Sequence, residues 1–290
     1  MGMVAIATAA IFIRSATNSA GVDHLGFSCV IAASRLSLAA LMLVPQFGWN
    51  RAAFPWRNRR AIGYAMGAGI ALAIHFATWV TSLSYTTIAA STVLVTTTPI
   101  WTTLFCHLWL KEKIHRTAML GITVGFIGGL LIATDNTQTS STAQPLLGNG
   151  LALVGALTAT AYLLIGRSAQ QQGLTTSNYI FVAYSTAAIV LLPLPWLMGT
   201  SYWGYPPLTY AWFLLLAIVP QLIGHTSFNW AMRHISPSLV TLAILAEPIG
   251  ASLLGYLVFQ EIPTMQTLQG SGTILLGIAI ASLGQSGQVE

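Results

Sequence analysis

The chain is 290 residues long, 55% of them hydrophobic and only 6% charged, with a mean hydropathy of +0.73. Eleven basic and six acidic side chains are too few to coat a water-soluble protein of this size, because soluble domains carry about a quarter charged residues. The formal charge of +5 does not point to nucleic acid, since Lys and Arg sit at segment ends and form no stripe that could track phosphates.

Ten apolar segments follow in chain order, roughly 3–20, 27–45, 62–83, 87–110, 117–134, 148–167, 178–198, 210–232, 236–259 and 265–283. Each matches the ~17–25 residues that a helix needs to cross a bilayer core. A spanning segment must satisfy its backbone hydrogen bonds internally, so these are helices. The short alternating segments of an outer-membrane barrel are absent. The first segment lacks a basic leader and contains Arg14, so it reads as a membrane helix and not as a cleaved signal. Cys29 and Cys106 lie inside apolar segments, where packed thiols are expected rather than a disulfide or metal site. The longest connection, 135–147, is rich in Thr, Ser, Gln and Asn and divides the chain.

Charge sets the orientation. With the N-terminus cytoplasmic, Arg51, Arg57, Arg59, Arg60, Lys111, Lys113, Arg116, Arg167 and Arg233 all fall at cytoplasmic ends. The opposite loops carry only acids, Asp23, Asp135 and Glu261. By the positive-inside rule both termini are cytoplasmic, in a bacterial-type inner membrane.

An internal repeat relates the halves. Thr92, Pro99, Glu112, Gly121 and Gly128 correspond to Thr241, Pro248, Glu261, Gly270 and Gly277, each pair 149 positions apart. Arg14-Ser15-Ala16 and Arg167-Ser168-Ala169 match at a slightly different offset. Five helices per unit is an odd number, so the second unit enters the membrane upside down. The expected architecture is an all-α membrane protein with two inverted five-helix repeats, 1–135 and 148–290, joined by a loop at 136–147, around a central cavity. Inverted repeats of this kind build secondary transporters whose site lies near the midplane.

The duplicated pattern resembles the drug/metabolite transporter superfamily, in particular its EamA-type ten-helix members. The matching stretches are Ala89-Ala90, Thr98-Pro99-Ile100 and Leu110-Lys111-Glu112-Lys113 in the first half. In the second they are Ser236-Pro237-Ser238, Glu247-Pro248-Ile249 and Gln260-Glu261-Ile262-Pro263. Arg35, followed by Ala39, looks like the Arg-x-x-x-Ala of the second helix. Ile13-Arg14-Ser15 with Ala20-Gly21 looks like the YddG-type aromatic amino acid exporters. The resemblance implies export.

Candidate substrate-binding residues lie on two faces. His75, Thr78, Trp79 and Ser82 share one face of the third segment, and Gln221, His225, Phe228, Asn229 and Met232 share one face of the eighth. In lipid a polar stripe must face protein or a water-filled cavity. Aromatic faces offer stacking and cation–π contacts, and Asn, Thr, Ser and neutral His can bond a carboxylate or ammonium. The alternative is helix packing, with hydroxyls bonded to their own backbone. Thr98 and Trp101 extend the group into the fourth segment. Pro99 and Pro248 each remove a backbone bond and are candidate hinge or gate positions. Glu247 is the acid well inside a segment; it reads a substrate ammonium, carries a coupling proton, or holds helices together. Arg14 and Arg35 are the cations within segments, and either meets a substrate carboxylate or locks helices by bonding carbonyls. For Arg35 the lock is favoured. Glu112 and Glu261 are expected to cap or gate the helix that follows each.

No H-E-x-x-H, no G-x-S-x-G and no pair of membrane aspartates is present, so an enzyme is not expected. No selectivity ring suggests a channel, and no P-loop, cofactor motif or metal set appears. Two buried arginines are few for a phosphate-bearing solute. The expected partners are a small amino acid-like substrate and the bilayer, with no nucleic acid and the chain a monomer. Other small metabolites or cationic drugs are the alternative cargo.

Overall fold

The computed structural model describes residues 2–49, 54–110, 116–133, 144–234, 240, 244 and 246–286, and every regular element among them is a helix. The described helices overlap the apolar segments expected, several of them running past the expected ends, and several segments are broken. α1 (Gly2–Ala7) and α2 (Ala9–Ala20) share the first, with a turn at Thr8 whose hydroxyl donates to the Ala5 carbonyl at 2.7 Å. α3 (Leu25–Trp49) runs through Pro45 instead of stopping there. α4 (Arg59–Ser82) starts at Asn58, whose Oδ1 accepts from the Ala61 N–H at 3.1 Å, an N-cap bond worth about 1 kcal/mol.

The fourth segment divides into α5 (Ile88–Val95) and α6 (Thr98–Leu110). Around the break, Thr92, Thr96, Thr97 and Thr98 turn their hydroxyls back to carbonyls three or four residues earlier. Such back-bonding competes with the helix ladder and bends it. α7 (Arg116–Ala133) and α8 (Pro145–Gln171) follow, then α9 (Thr176–Leu191) and the short α10 (Leu194–Leu197). The eighth segment combines α11 (Pro207–Leu216), a π-helical stretch (Ala217–His225) containing Pro220, and α12 (Thr226–His234). α13 (Ala246–Phe259) and α14 (Met265–Ser286) complete the described chain.

By length and composition six helical stretches can cross a membrane: Gly2–Ala20, Leu25–Gln46, Arg59–Ser82, Pro145–Gln171, Thr176–Leu197 and Pro207–His234. Shorter apolar helices cover Ile88–Thr102, Met119–Leu131 and Glu247–Phe259. The distribution of side chains is inverted relative to a soluble protein. Leu41, Phe126, Ile189, Leu197 and Leu253 are more than half exposed, whereas Arg35 and Gln221 are fully buried. Lipid removes the penalty on the former, and protein must satisfy the latter.

Small residues make the contacts. α4 packs along α8 and α9, α3 along α9, α2 along α11, α1 along the π-helical stretch, and α7 along α14. Ala61, Ala65 and Ala68 on α4 are fully buried, letting backbones approach. At the α7–α14 contact a methyl on Gly128 would sit 2.7 Å from the Gly270 carbonyl oxygen. A methyl on Gly277 would sit 2.6 Å from the Gly121 carbonyl oxygen.

Candidate functional site

A cavity of about 50 Å³ lies where α4, α5, α6, α8, α12, α13 and the N-terminal α1 converge. His75 and Trp79 on α4, Thr98 at the head of α6, His225 at the end of the π-helical stretch, Phe228 on α12 and Glu247 on α13 all line it. These are six of the ten binding residues expected from the sequence. The volume holds a few water molecules and is too small for an amino acid unless the surrounding helices separate.

The wall is ordered by aromatic contacts. His75 stacks on Trp79 with ring centroids 5.9 Å apart and 12° between planes, and its Nδ1 lies 2.9 Å from the Gly155 carbonyl on α8. Gly155 allows this approach: a methyl there would meet the Trp79 Cβ at 3.3 Å. Phe76, one position along α4, stands edge-on to His225 at 5.3 Å. The Trp79 Nε1–H is buried and finds no acceptor among the described residues.

The other four expected residues stand outside the wall. Thr78 gives its hydroxyl to the Ile74 and His75 carbonyls of its own helix. Ser82 is on the predicted face but about 10 Å further along the axis than His75 at 1.5 Å per residue; its hydroxyl meets Ser91 at 2.7 Å and ties α4 to α5. Trp101 lies past the break and donates through Nε1 to the Thr97 hydroxyl at 3.0 Å. Asn229 is one layer behind: its Nδ2 donates to the Tyr162 hydroxyl at 2.5 Å and the Tyr184 hydroxyl at 3.4 Å. Pro99 falls in the first turn of α6, where no N–H bond is lost, so the interruption is the break at Thr96–Thr97 and not a mid-helix kink. Pro248 is buried beside Glu247 in α13.

Sequence reasoning missed Tyr162 and Leu163 in the lining. For Tyr162 a signal was present. It follows Ala152, Ala156 and Ala159, which mark a close-packed face of α8, and a phenol beside such a face needs a buried partner.

The charged residues divide differently from expectation. Arg14 makes the carbonyl lock, with Nη2 donating to Leu83 O at 2.8 Å and Thr86 O at 3.3 Å. Among the described residues Arg35 makes none; its Nε donates to the Gln221 side chain at 2.8 Å, and its guanidinium carbon lies 4.1 Å from the Phe76 ring centroid. Glu261 caps α5 and not the helix after it: its Oε1 accepts from the Ile88 N–H at 2.7 Å. Burial raises its carboxyl above the usual range, outweighing the opposing pull of Arg14 and of the Ile88 bond. Glu112, Lys111, Lys113, Asp135 and Thr241 lie outside the described residues, as does most of the 136–147 loop.

The sequence profile of the EamA-like transporter family matches residues 1–134 and 146–283, nearly the whole chain. The chain belongs to the EamA-like transporter family. It is accordingly a multi-pass membrane transporter and not an enzyme, with a small molecule as cargo. This EamA-like chain is 24% identical over 230 residues to the pseudopaline exporter CntI of Pseudomonas aeruginosa, covering 79% of this chain and 77% of that one. It is 25% identical over 201 residues, 68% of each chain, to an uncharacterized transporter of Archaeoglobus fulgidus. It is 23% identical over 228 residues to the uncharacterized transporter YyaM of Bacillus subtilis, covering 78% and 74%. A crystal structure 16% identical in sequence shares the fold with a TM-score of 0.63, over 97% of this chain and 98% of its own.

Proposed function

We propose that this protein is a secondary transporter of ten membrane helices in two inverted five-helix units, exporting small amphipathic metabolites, amino acids including aromatic ones foremost, by alternating access at the central cavity. The inner membrane of a bacterial-type cell, with both termini cytoplasmic, is the setting that the charge asymmetry supports. The observation that carries the reading is the composition of the cavity wall. Its helices come in corresponding pairs from the two units: α1 with α8, α4 with the π-helical stretch and α12, and α5–α6 with α13. A site bounded by matching helices changes its open side when the two units exchange conformations.

Two further observations support the symmetry. The packing of α4 on α8 corresponds to that of the eighth segment on α1 and α2, and both contacts are present. The Gly128–Gly270 approach corresponds to that between Gly277 and Gly121 when each residue is exchanged for its mate 149 positions away. Export is supported by the Pseudomonas aeruginosa relative, a pseudopaline exporter. An aromatic wall with Glu247 and hydroxyl donors suits a molecule that has both an apolar body and charged ends.

Counterflow in proteoliposomes, screened with labelled amino acids, sugars and cationic drugs, tests the reading. Accumulation of amino acids, with aromatic ones among the best, is the expected result. Accumulation of sugars or drugs alone would remove the amino acid assignment.

A further inference from the structure

Two buried ionisable side chains of opposite type, Arg35 and Glu247, stand by the cavity without forming an ion pair. Among the described residues, Arg35 and Glu247 are the buried arginine and the buried acid, Arg35 fully enclosed and Glu247 6% exposed. Charges buried without partners cost several kcal/mol, and proteins ordinarily pair them. Here Glu247 lines the cavity. The guanidinium is not part of the wall; it packs on the Phe76 ring, which also meets His225 of the wall edge-on. Arg35 uses Nε on Gln221, while Nη1 and Nη2 find no acceptor among the described residues. The nearby Trp79 Nε1–H is in the same condition.

Other roles account for Arg35 less well. Arg14 shows what a helix lock looks like in this protein, with its Nη2 on two carbonyls. Contact with the Phe76 ring stabilises a desolvated cation, but it accepts nothing from the four terminal N–H bonds. A planar group of acceptors presented to Nη1 and Nη2 would satisfy them as a bidentate pair.

We infer that Arg35 and Glu247 are the two poles of the substrate site: the terminal nitrogens of Arg35 take a carboxylate, and Glu247 takes the ammonium of the same molecule. The class of ligand is a zwitterion with both groups on a short frame and an apolar body against Trp79 and Phe228. When the helices around the cavity part, movement of Phe76 and His225 uncovers Arg35. The inference rests on the amino acid reading above and adds to it which residue holds which end.

The test is counterflow of labelled L-phenylalanine with three competitors: L-phenylalanine, phenethylamine without the carboxylate, and 3-phenylpropionate without the ammonium. The parent is expected to prefer the amino acid over either analogue by about tenfold or more, the scale of a lost buried charge contact. In Arg35→Gln, phenylalanine should lose about that factor while phenethylamine competes as before, and Arg35→Lys should restore part of the preference. A purely structural arginine would change expression or rate without changing the order of the competitors. Phenylalanine transport in Arg35→Gln with the parent's order overturns the inference and leaves amino acid transport standing. A parent that carries none of the three, but carries another class in the screen, removes the amino acid reading and the inference with it. If Arg35→Gln does not fold, Glu247→Gln answers with the same probes. Phenylalanine and phenethylamine should then weaken while 3-phenylpropionate is retained, and an unchanged order is again contrary.

Discussion

Trp79 and His225 approach the cavity from α4 and from the π-helical stretch, and each is held by a ring contact. Trp79 is 2% exposed and stacks on His75, while His225 sits edge-on to Phe76. Trp79→Ala or His225→Ala should lower phenylalanine counterflow by about tenfold or more, with a monodisperse size-exclusion profile retained. Unchanged rates would remove that residue from the site. Tyr162 is oriented by Asn229. Tyr162→Phe leaves that amide donor with only the long bond to Tyr184 and should lower thermal stability by about 1 kcal/mol. Glu261 sets a pH dependence. Its raised pKa means the folded state holds the proton more tightly than the unfolded state. The resulting stability is full below the ordinary carboxylate range and is lost as pH rises through the raised value. Glu261→Gln keeps an oxygen for the Ile88 N–H and removes the charge. Melting temperatures of parent and variant should coincide in acid and diverge above that window, with the variant higher; a variant that melts lower there would contradict the assignment.

At the scale of the element, the contact of α7 with α14 depends on hydrogen atoms where other residues carry methyls. A side chain on Gly128 meets backbone of Gly270 and Ile274, which cannot rotate away. Gly128→Leu should therefore force the helices apart and cost about 2 kcal/mol or more. Gly129→Leu, at a position open to at least 4 Å, should be tolerated. Equal melting temperatures for the two variants would sink this account of the interface. The glycines at 121, 128, 270 and 277 were visible in the sequence as a spacing, but their role was not, because a small residue signals proximity without naming its partner. Secondary structure was legible for a similar reason. Runs of about twenty apolar residues have one stable form in lipid, so the helices fall where hydropathy places them. The π-helical stretch and the break at Thr96–Thr97 were not legible as such. Pro220 and the threonine run announce a disturbed ladder, but whether it widens, breaks or bends is decided by neighbours.

For the whole molecule, long-range pairing was the least readable property. Arg14 and Arg35 look alike as cations in apolar segments, and only the fold reveals that one faces carbonyls and the other faces Gln221 and a ring. Glu261 likewise caps a helix 173 positions earlier in the chain, a partner that no local rule predicts. The faces of α4 and the eighth segment were readable from helical spacing. Four of their predicted residues, His75, Trp79, His225 and Phe228, border the cavity, and axial distance or a second layer sets the others back.

The central claim is that one cavity between two inverted units is reached from each side of the membrane in turn. Ala159 lines it and carries no hydrogen-bonding side chain, so Ala159→Cys in a Cys29→Ala, Cys106→Ala background reports access with little disturbance. In oriented proteoliposomes, a membrane-impermeant thiol reagent should label the cysteine from outside and, in a separate sample, from inside. L-phenylalanine should slow both reactions. Labelling from one side only, whatever solute is present, would contradict the account.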